Sequence, residues 1–287
     1  MISLFGTSGI RGPVDTLFTP QFCFDLGRTF AQFLSTLNQT GPVTIGFDPR
    51  QSSPQIAASV TAGLLHEKRE VTSLGSVPVP AVNYALISNN FAGSIMVTGS
   101  HIDVTSNGLK FFALKEEISK EHEAQISRLY DSLKNQIPHK PIKISIQNST
   151  SGIDNYVELL LSLADKPLPK LKLIVDTGNG GQTEVMRRVL PELGFEVSFL
   201  NADQQQSLIS RDTETNGSFA DLQQEVVSSG ADLGIGFDSD GDRVIFVDHT
   251  SQFVPGDLTG VLLAKWLPGN IIVTPVNTSN LIDNIDK

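Results

Sequence analysis

Chemistry is most concentrated at Asp238-Ser239-Asp240-Gly241-Asp242-Arg243. Carboxylates at three alternate positions of one turn repel one another unless a cation neutralises them. Oxygen donors without Cys or His beside them suit Mg²⁺ ahead of Mn²⁺ or Ca²⁺. An EF-hand counted from Asp238 requires Gly at its sixth place and Glu at its twelfth; Arg243 and His249 stand there, so that reading fails. A solvated acidic turn remains the alternative. Aspartate ligands leave coordination positions for water or a phosphate oxygen, which directs attention to residues able to hold phosphate.

Three other stretches qualify. Gly6-Thr7-Ser8-Gly9-Ile10-Arg11-Gly12 offers backbone N–H groups, the hydroxyls of Thr7 and Ser8, and the Arg11 guanidinium to an oxyanion; the alternative is a plain terminal turn. Asp48 and Arg50 follow an apolar run, at the strand end where open α/β sheets build sites; a pair that only shapes the turn is equally open. In Thr98-Gly99-Ser100-His101 a serine stands beside a histidine at the mouth of another strand, and Asn107-Gly108-Leu109-Lys110 brings a lysine back toward it. Serine becomes a nucleophile through an adjacent base or a metal. No acid at suitable spacing completes a hydrolase triad, and there is no Gly-x-Ser-x-Gly elbow.

The elements that must position these groups are readable in outline. Thr19-Pro20 caps and starts a helix with Phe22, Leu26, Phe30, Phe33, Leu34 and Leu37 near one face. Val43–Phe47 is a strand, and Ser52-Ser53-Pro54 starts a helix through Ile56, Val60 and Leu64. Gly93–Thr98 is a buried strand, and a helix runs from Ser119 to about Gln136. Ile137–Pro141 is a breaker, another helix covers Asp154–Leu163, and Lys166–Lys170 is a boundary candidate. Leu171–Asp176 is a strand, followed by the Gly-rich turn Thr177–Gly181, which lacks the Lys-Ser/Thr of a phosphate loop and reads as structural. Ala231–Ile235 and Val244–Asp248 flank the acidic turn as short strands. Ser210–Asn216 is a polar loop whose role the sequence does not reveal.

Val43–Asp48, Leu171–Asp176 and Asn270–Pro275 share one pattern, an apolar strand followed by a polar turn and a helix start. Serial α/β modules follow from it, the third cut short within Val276–Lys287. With 287 residues and a net charge of −10, two compact domains or one large one fit and a general nucleic-acid binder does not. One cysteine, Cys23, excludes an intrachain disulfide. Neither a leader nor an apolar run long enough for a bilayer is expected, and the chain reads as cytoplasmic, with no membrane partner.

Together, Phe5–Gly12, Thr98–His101 with Asn107–Lys110, and Asp238–Arg243 resemble the signatures of the α-D-phosphohexomutases, the phosphoglucomutase/phosphomannomutase family. The resemblance implies an α/β fold of mixed sheets sandwiched by helices, with a first domain over 1–150, a second over 151–254 and the start of a third over 255–287. It implies a phosphoryl group on Ser100, one Mg²⁺ held by Ser100, Asp238, Asp240 and Asp242, and transfer between C1 and C6 of a hexose phosphate through a hexose 1,6-bisphosphate. Arg11 and Arg243 would stabilise charge, Lys110 would move a proton at the sugar hydroxyl, and His101 would orient near the phosphate. Thr7, Ser8, Arg11, Asp48, Arg50 and Asn107 are expected around phosphate or substrate.

Two departures from the family pattern stand out. Gly99 replaces the usual Ala, and Ile102-Asp103 replaces Asn-Pro, so an inward Asp103 carboxylate would oppose phosphate. The family's sugar-recognition and distal phosphate loops, carried by its third and fourth domains, find no match. Weak or absent mutase activity of the chain alone is therefore expected. The alternatives are a half-enzyme completed by a partner chain carrying the missing C-terminal domains, and a non-catalytic phosphosugar-binding or regulatory remnant.

Overall fold

Residues 4–6, 8–139, 151–164, 167–269, 271–274 and 278–284 are described in a computed structural model of the chain. Thr7, Lys140, Pro141, Lys166, Asn270 and Pro275, singled out above, lie outside them, as do 276–277 and 285–287 of the last segment.

The first half contains β1 (Ile10–Pro13), a single turn α1 (Val14–Leu17), α2 (Pro20–Thr36), β2 (Val43–Phe47), α3 (Ser53–His66), β3 (Val71–Ser76), α4 (Val79–Ser88), β4 (Gly93–Val97), β5 (Ser106–Ala113), β6 (Glu116–Glu117) and α5 (Lys120–Leu133). The expected caps are present. Thr19 Oγ1 accepts the Phe22 N–H at the start of α2, and Ser119 Oγ accepts the His122 N–H at the start of α5, each satisfying an orphan donor of the first turn. The sheet runs β1-β5-β4-β2-β3, with β6 on β5. β2 is parallel to β3 and β4, while β5 runs antiparallel to both β4 and β1. The parallel strands β2 and β4 therefore deliver their C-terminal ends, Asp48 and Thr98, side by side.

The second half repeats the plan with α6 (Ser151–Ser162), β7 (Lys172–Asp176), α7 (Thr183–Glu192), β8 (Glu196–Leu200), α8 (Ala220–Ser229), β9 (Leu233–Phe237), β10 (Val244–Asp248), β11 (Phe253–Val254) and α9 (Gly256–Trp266). Its sheet order is β11-β10-β9-β7-β8, with β7 parallel to β8 and β9 and the hairpin β9–β10 antiparallel. The acidic turn is that hairpin's connection, Phe237 pairing with Val244. The mixed sheets between helices match the expected fold class, while β3 and α4 were not legible beforehand. No described helix is long and apolar enough to cross a membrane.

Three apolar clusters hold the layers. One joins α2, α3 and the first sheet through Leu26, Phe30, Phe33, Ile45, Val60, Ile95 and Phe111. A second crosses between the halves, packing Leu74, Val82, Met96 and Phe112 with Tyr156, Val157, Leu173, Val175 and Val185. It contains α6, which lies against both α4 and α7, so the two sheets share buried apolar surface instead of meeting through a solvated linker. The third lies under α8, around Ile174, Phe219, Leu222, Ile245 and Val247.

The third module departs from expectation. Ile271–Thr274 form no strand, and Ile271 and Val273 are 85% and 89% exposed. An apolar run becomes a strand by pairing with a neighbour, and no described strand lies against this one.

Two outcomes follow from the packing. Gly27 of α2 and Gly63 of α3 meet backbone to backbone: a Cβ on Gly63 would collide with the Phe24 carbonyl oxygen, and one on Gly27 with that of Val60. Gly63→Ala should cost about 1–3 kcal/mol or more in urea unfolding, the range of overpacking; an unchanged midpoint would contradict the close approach. Burial pushes the Cys23 thiol up to about 12. Its folded value exceeds the unfolded one, so this stability is fully present below about pH 8.5 and is lost as pH rises toward 12. A disulfide reagent at pH 8 should label Cys23 only after denaturation, whereas rapid labelling of the native chain would contradict its burial.

Candidate active site

The acidic turn is enclosed. Asp238 and Asp240 have no exposed surface, whereas Asp242 is partly open. One oxygen of each carboxylate lies within 4.8 Å of the others. Burial and the neighbouring Asp240 and Asp242 charges push the Asp238 carboxyl up to about 8. Burial is the largest influence on Asp240 and works to raise it, but the Lys110 charge and the hydrogen bonds the carboxyl accepts, from Lys110 and Thr98 among others, together outweigh it and hold that carboxyl below its usual range. Lys110 Nζ lies 3.1 Å from Asp240 Oδ2 and 2.7 Å from Asp242 Oδ2. Burial pulls the ammonium down, and these two carboxylates more than restore it, so it stays charged above the ordinary lysine value. Asp240 Oδ1 is buried and accepts no hydrogen bond. An orphaned buried carboxylate oxygen beside two more acidic side chains fits a hard divalent cation.

Ser100 comes from the other sheet, in the connection between β4 and β5. It is 1% exposed and its backbone is left-handed, φ 52°, an uncommon state for a residue with a Cβ. Its hydroxyl donates to Asp238 Oδ2 at 3.2 Å and lies 3.4 Å from His101 Nδ1, and its N–H donates to Thr98 Oγ1 at 2.8 Å. Thr98 has one hydroxyl proton to give, with Asp48 Oδ2 at 2.8 Å and Asp240 Oδ2 at 3.1 Å. Thus 142 residues of sequence separation close across a single hydroxyl.

What enforces the left-handed serine is Arg50. Its Nε donates to Asp48 Oδ2, its Nη1 to the carbonyls of Asp103 (2.9 Å) and Ser106 (3.3 Å), and its Nη2 to those of Ser100 (2.6 Å) and Ile102 (2.8 Å). Gly99 makes room, because a Cβ there would stand 2.6 Å from Arg50 Cζ. Asp48 accepts from Ser53 Oγ at 2.7 Å and from the Gly99 N–H at 3.2 Å. Asn107 gives its amide to Ser52 and Ser53 and takes the Gly108 N–H. Asp48, Arg50 and Asn107 are all buried. These polar groups are engaged behind the loop, where they build it. Asp103 is exposed and its carboxylate is held by the Thr105 N–H and hydroxyl, so the departure at this position places no charge against Ser100.

Three cationic or basic groups border the serine. His101 is half-buried; burial and the Arg243 and Arg11 charges hold it below the ordinary imidazole value, against the pull of Asp212 and Asp240. It is therefore neutral at pH 7. Arg11 extends from β1, opposite Gly108 of β5, and its buried Nε makes no hydrogen bond. Arg243 is half-buried, 4.0 Å from Asp242 and 3.8 Å from Glu214. Ser8, expected near phosphate, donates to Glu117 Oε1 at 2.7 Å.

The sequence gives no local sign of the acidic loop's supports, which come from the turn after β7 and from the start of α4 in the first half. The Gly181 N–H donates to the Ser239 carbonyl, Gln182 Nε2 to that of Gly241, and the Val79 N–H to that of Asp240. The Gly-rich turn is structural, as expected, and what it supports is the acidic loop. Ser210 donates to Ile102 O of the Ser100 loop at 2.8 Å. Polarity singled out Ser210–Asn216, but its partner lies 108 residues away, beyond any local signal.

Known proteins resemble this chain over both halves. The family description "Phosphoglucomutase/phosphomannomutase, alpha/beta/alpha domain I" matches residues 3–137, and that for domain II matches residues 153–252. A phosphoglucosamine mutase of Natranaerobius thermophilus is 32% identical over 92% of this chain and 60% of its own length. A phosphoglucomutase/phosphomannomutase of Thermococcus kodakarensis is 31% identical over 100% of this chain and 65% of its own. The chain thus spans less than two thirds of these relatives. A solved phosphoglucomutase/phosphomannomutase family protein of Burkholderia thailandensis superposes with a TM-score of 0.79 at 24% identity, over 92% of this chain and 58% of that one, a likeness of fold. With both halves matched in order, and with the serine loop and the acidic loop meeting where the two sheets join, the chain belongs to the phosphoglucomutase/phosphomannomutase family.

Proposed function

We propose that this chain performs the phosphoryl-transfer half of a phosphohexomutase, with Ser100 as the phosphoryl carrier. The observation that carries the reading is the Ser100 hydroxyl, 3.2 Å from Asp238 Oδ2, in a loop held from behind by Arg50. Asp238, Asp240, Asp242 and Ser100 would hold Mg²⁺, which when bound neutralises charge on the transferring group.

The residues then divide the work. In one direction the Ser100 oxygen forms a bond to phosphorus while the bond from phosphorus to a sugar oxygen breaks. The serine proton passes to neutral His101, whose Nδ1 lies within reach. Lys110, held charged, gives a proton to the departing sugar oxygen. The reverse transfer, to the other end of the sugar, returns these protons by the same route. Arg11 and Arg243, whose charges both act on His101, would stabilise the charge that accumulates on the transferring group.

Relatives with glucosamine and with glucose or mannose in their names match this chain about equally, so the reading extends to hexose phosphates as a class. Groups of the sugar remote from the reacting phosphate orient it, and in full-length members these contacts belong to the later domains. Turnover by the 287-residue chain alone is accordingly weak on this reading, whereas a single phosphoryl transfer is retained.

Incubation with glucose 1,6-bisphosphate and Mg²⁺ should add the mass of one phosphoryl group to the chain and none to Ser100→Ala. A folded wild-type chain that gains nothing would overturn the carrier role and favour a binding remnant. Asp240→Asn should weaken Mg²⁺ binding in calorimetry by at least about tenfold, since even outer partners of metal ligands cost that much. An unchanged affinity would remove the acidic loop as the metal site.

A further inference from the structure

The run from Ser210 to Asn216 leaves the second half and touches the loop of the first half on which the chemistry depends. It is not a loose excursion. Arg211 is buried, forms an ion pair with buried Asp176 at the end of β7, and stands over the Phe219 ring at 5.2 Å. The Ile209 N–H donates to the Gly178 carbonyl. Downstream, Asp212 accepts the Glu214 N–H and the Thr215 hydroxyl, which closes a turn. Ser210, fixed between these anchors, donates its hydroxyl to Ile102 O at 2.8 Å.

The same Gly-rich turn that receives Ile209 supports the acidic loop through Gly181 and Ser239. A short hydrogen-bonded route thus runs from the carboxylates, through the turn after β7, to the loop two residues beyond Ser100. Ile102 O also accepts from Arg50, so this one carbonyl is gripped from both sheets.

We propose that Ser210 is a positioning residue for phosphoryl transfer, latching the Ser100 loop to the half of the molecule that carries Asp238, Asp240 and Asp242. The role deepens the carrier reading and rests on it. Ser210 touches neither the nucleophile nor a carboxylate of the cluster; it acts through the Ile102 carbonyl. Removal of its hydroxyl leaves that carbonyl bonded to Arg50, so the fold survives and the effect is confined to the loop.

Hydrogen exchange and phosphorylation of the full chain test the latch separately. In Ser210→Ala without ligand, amides between Gly99 and Ser106 should exchange about fivefold faster, the size of one neutral hydrogen bond, with α2 unchanged. Phosphorylation of Ser100 by glucose 1,6-bisphosphate should slow about fivefold at an unchanged Mg²⁺ dissociation constant, and Ser210→Thr should restore both. Unchanged loop exchange, faster exchange throughout α2, or an unaltered phosphorylation rate would each overturn the positioning role. If the wild-type chain accepts no phosphoryl group, the carrier reading fails and takes the catalytic role of the latch with it. The exchange data still decide whether Ser210 holds the loop.

Discussion

Asp238 and Asp240 are denied water and stand beside Asp242, a placement that costs free energy through both desolvation and mutual repulsion. Much of the surrounding structure answers that cost. Lys110 crosses from β5 of the first sheet to pair with two of the three carboxylates, the Arg243 backbone N–H and the Ser100 hydroxyl meet the Asp238 oxygens, and Thr98 reaches Asp240. A buried charge cluster stabilises little by itself, yet it tolerates few geometries. Here it requires both sheets to be in register, because Lys110, Ser100 and Thr98 belong to one half and the carboxylates to the other.

The shared apolar cluster of α4, α6 and α7 makes that register available, and the polar contacts select it. Within the first half the same logic recurs at smaller scale. Arg50 satisfies four carbonyls of a loop that would otherwise fold its polar backbone into a protein interior, and in doing so holds Ser100 in a conformation that residues with a Cβ rarely adopt. Strain at the serine is offset by bonds made behind it. Arg50 and the αL backbone therefore pre-set the hydroxyl, so no loop ordering is needed at the moment of transfer.

The parts of this arrangement legible in sequence were those with local signatures. Asp238, Asp240 and Asp242 announce themselves by spacing, Ser100 and Lys110 by a polar turn between apolar runs, and α2 by its cap and its phenylalanines. Orientation was not legible. Arg50 and Asn107 have the residue types of phosphate ligands, and nothing in their neighbours reveals that they face the inside of the loop. Ser210 and Thr98 act on partners more than 100 residues away, and β3, with four polar or glycine residues among its six, has too weak a pattern to mark a strand. Ile271–Thr274 failed in the opposite sense: an apolar run was present, but a strand needs a partner as well as a propensity.

The central claim is that a serine from one sheet and an acidic loop from the other form a single metal–phosphate site. The most direct measurement is the ³¹P spectrum of the chain phosphorylated by a hexose bisphosphate, titrated with Mn²⁺ in place of Mg²⁺. The account predicts severe broadening of the phosphoserine resonance at stoichiometric Mn²⁺, abolished in a phosphorylated Asp240→Asn chain, because the ion sits within a few ångströms of the phosphorus. A phosphoserine line that stays sharp while Mn²⁺ is bound would contradict it, placing the cation and the phosphoryl group in separate sites.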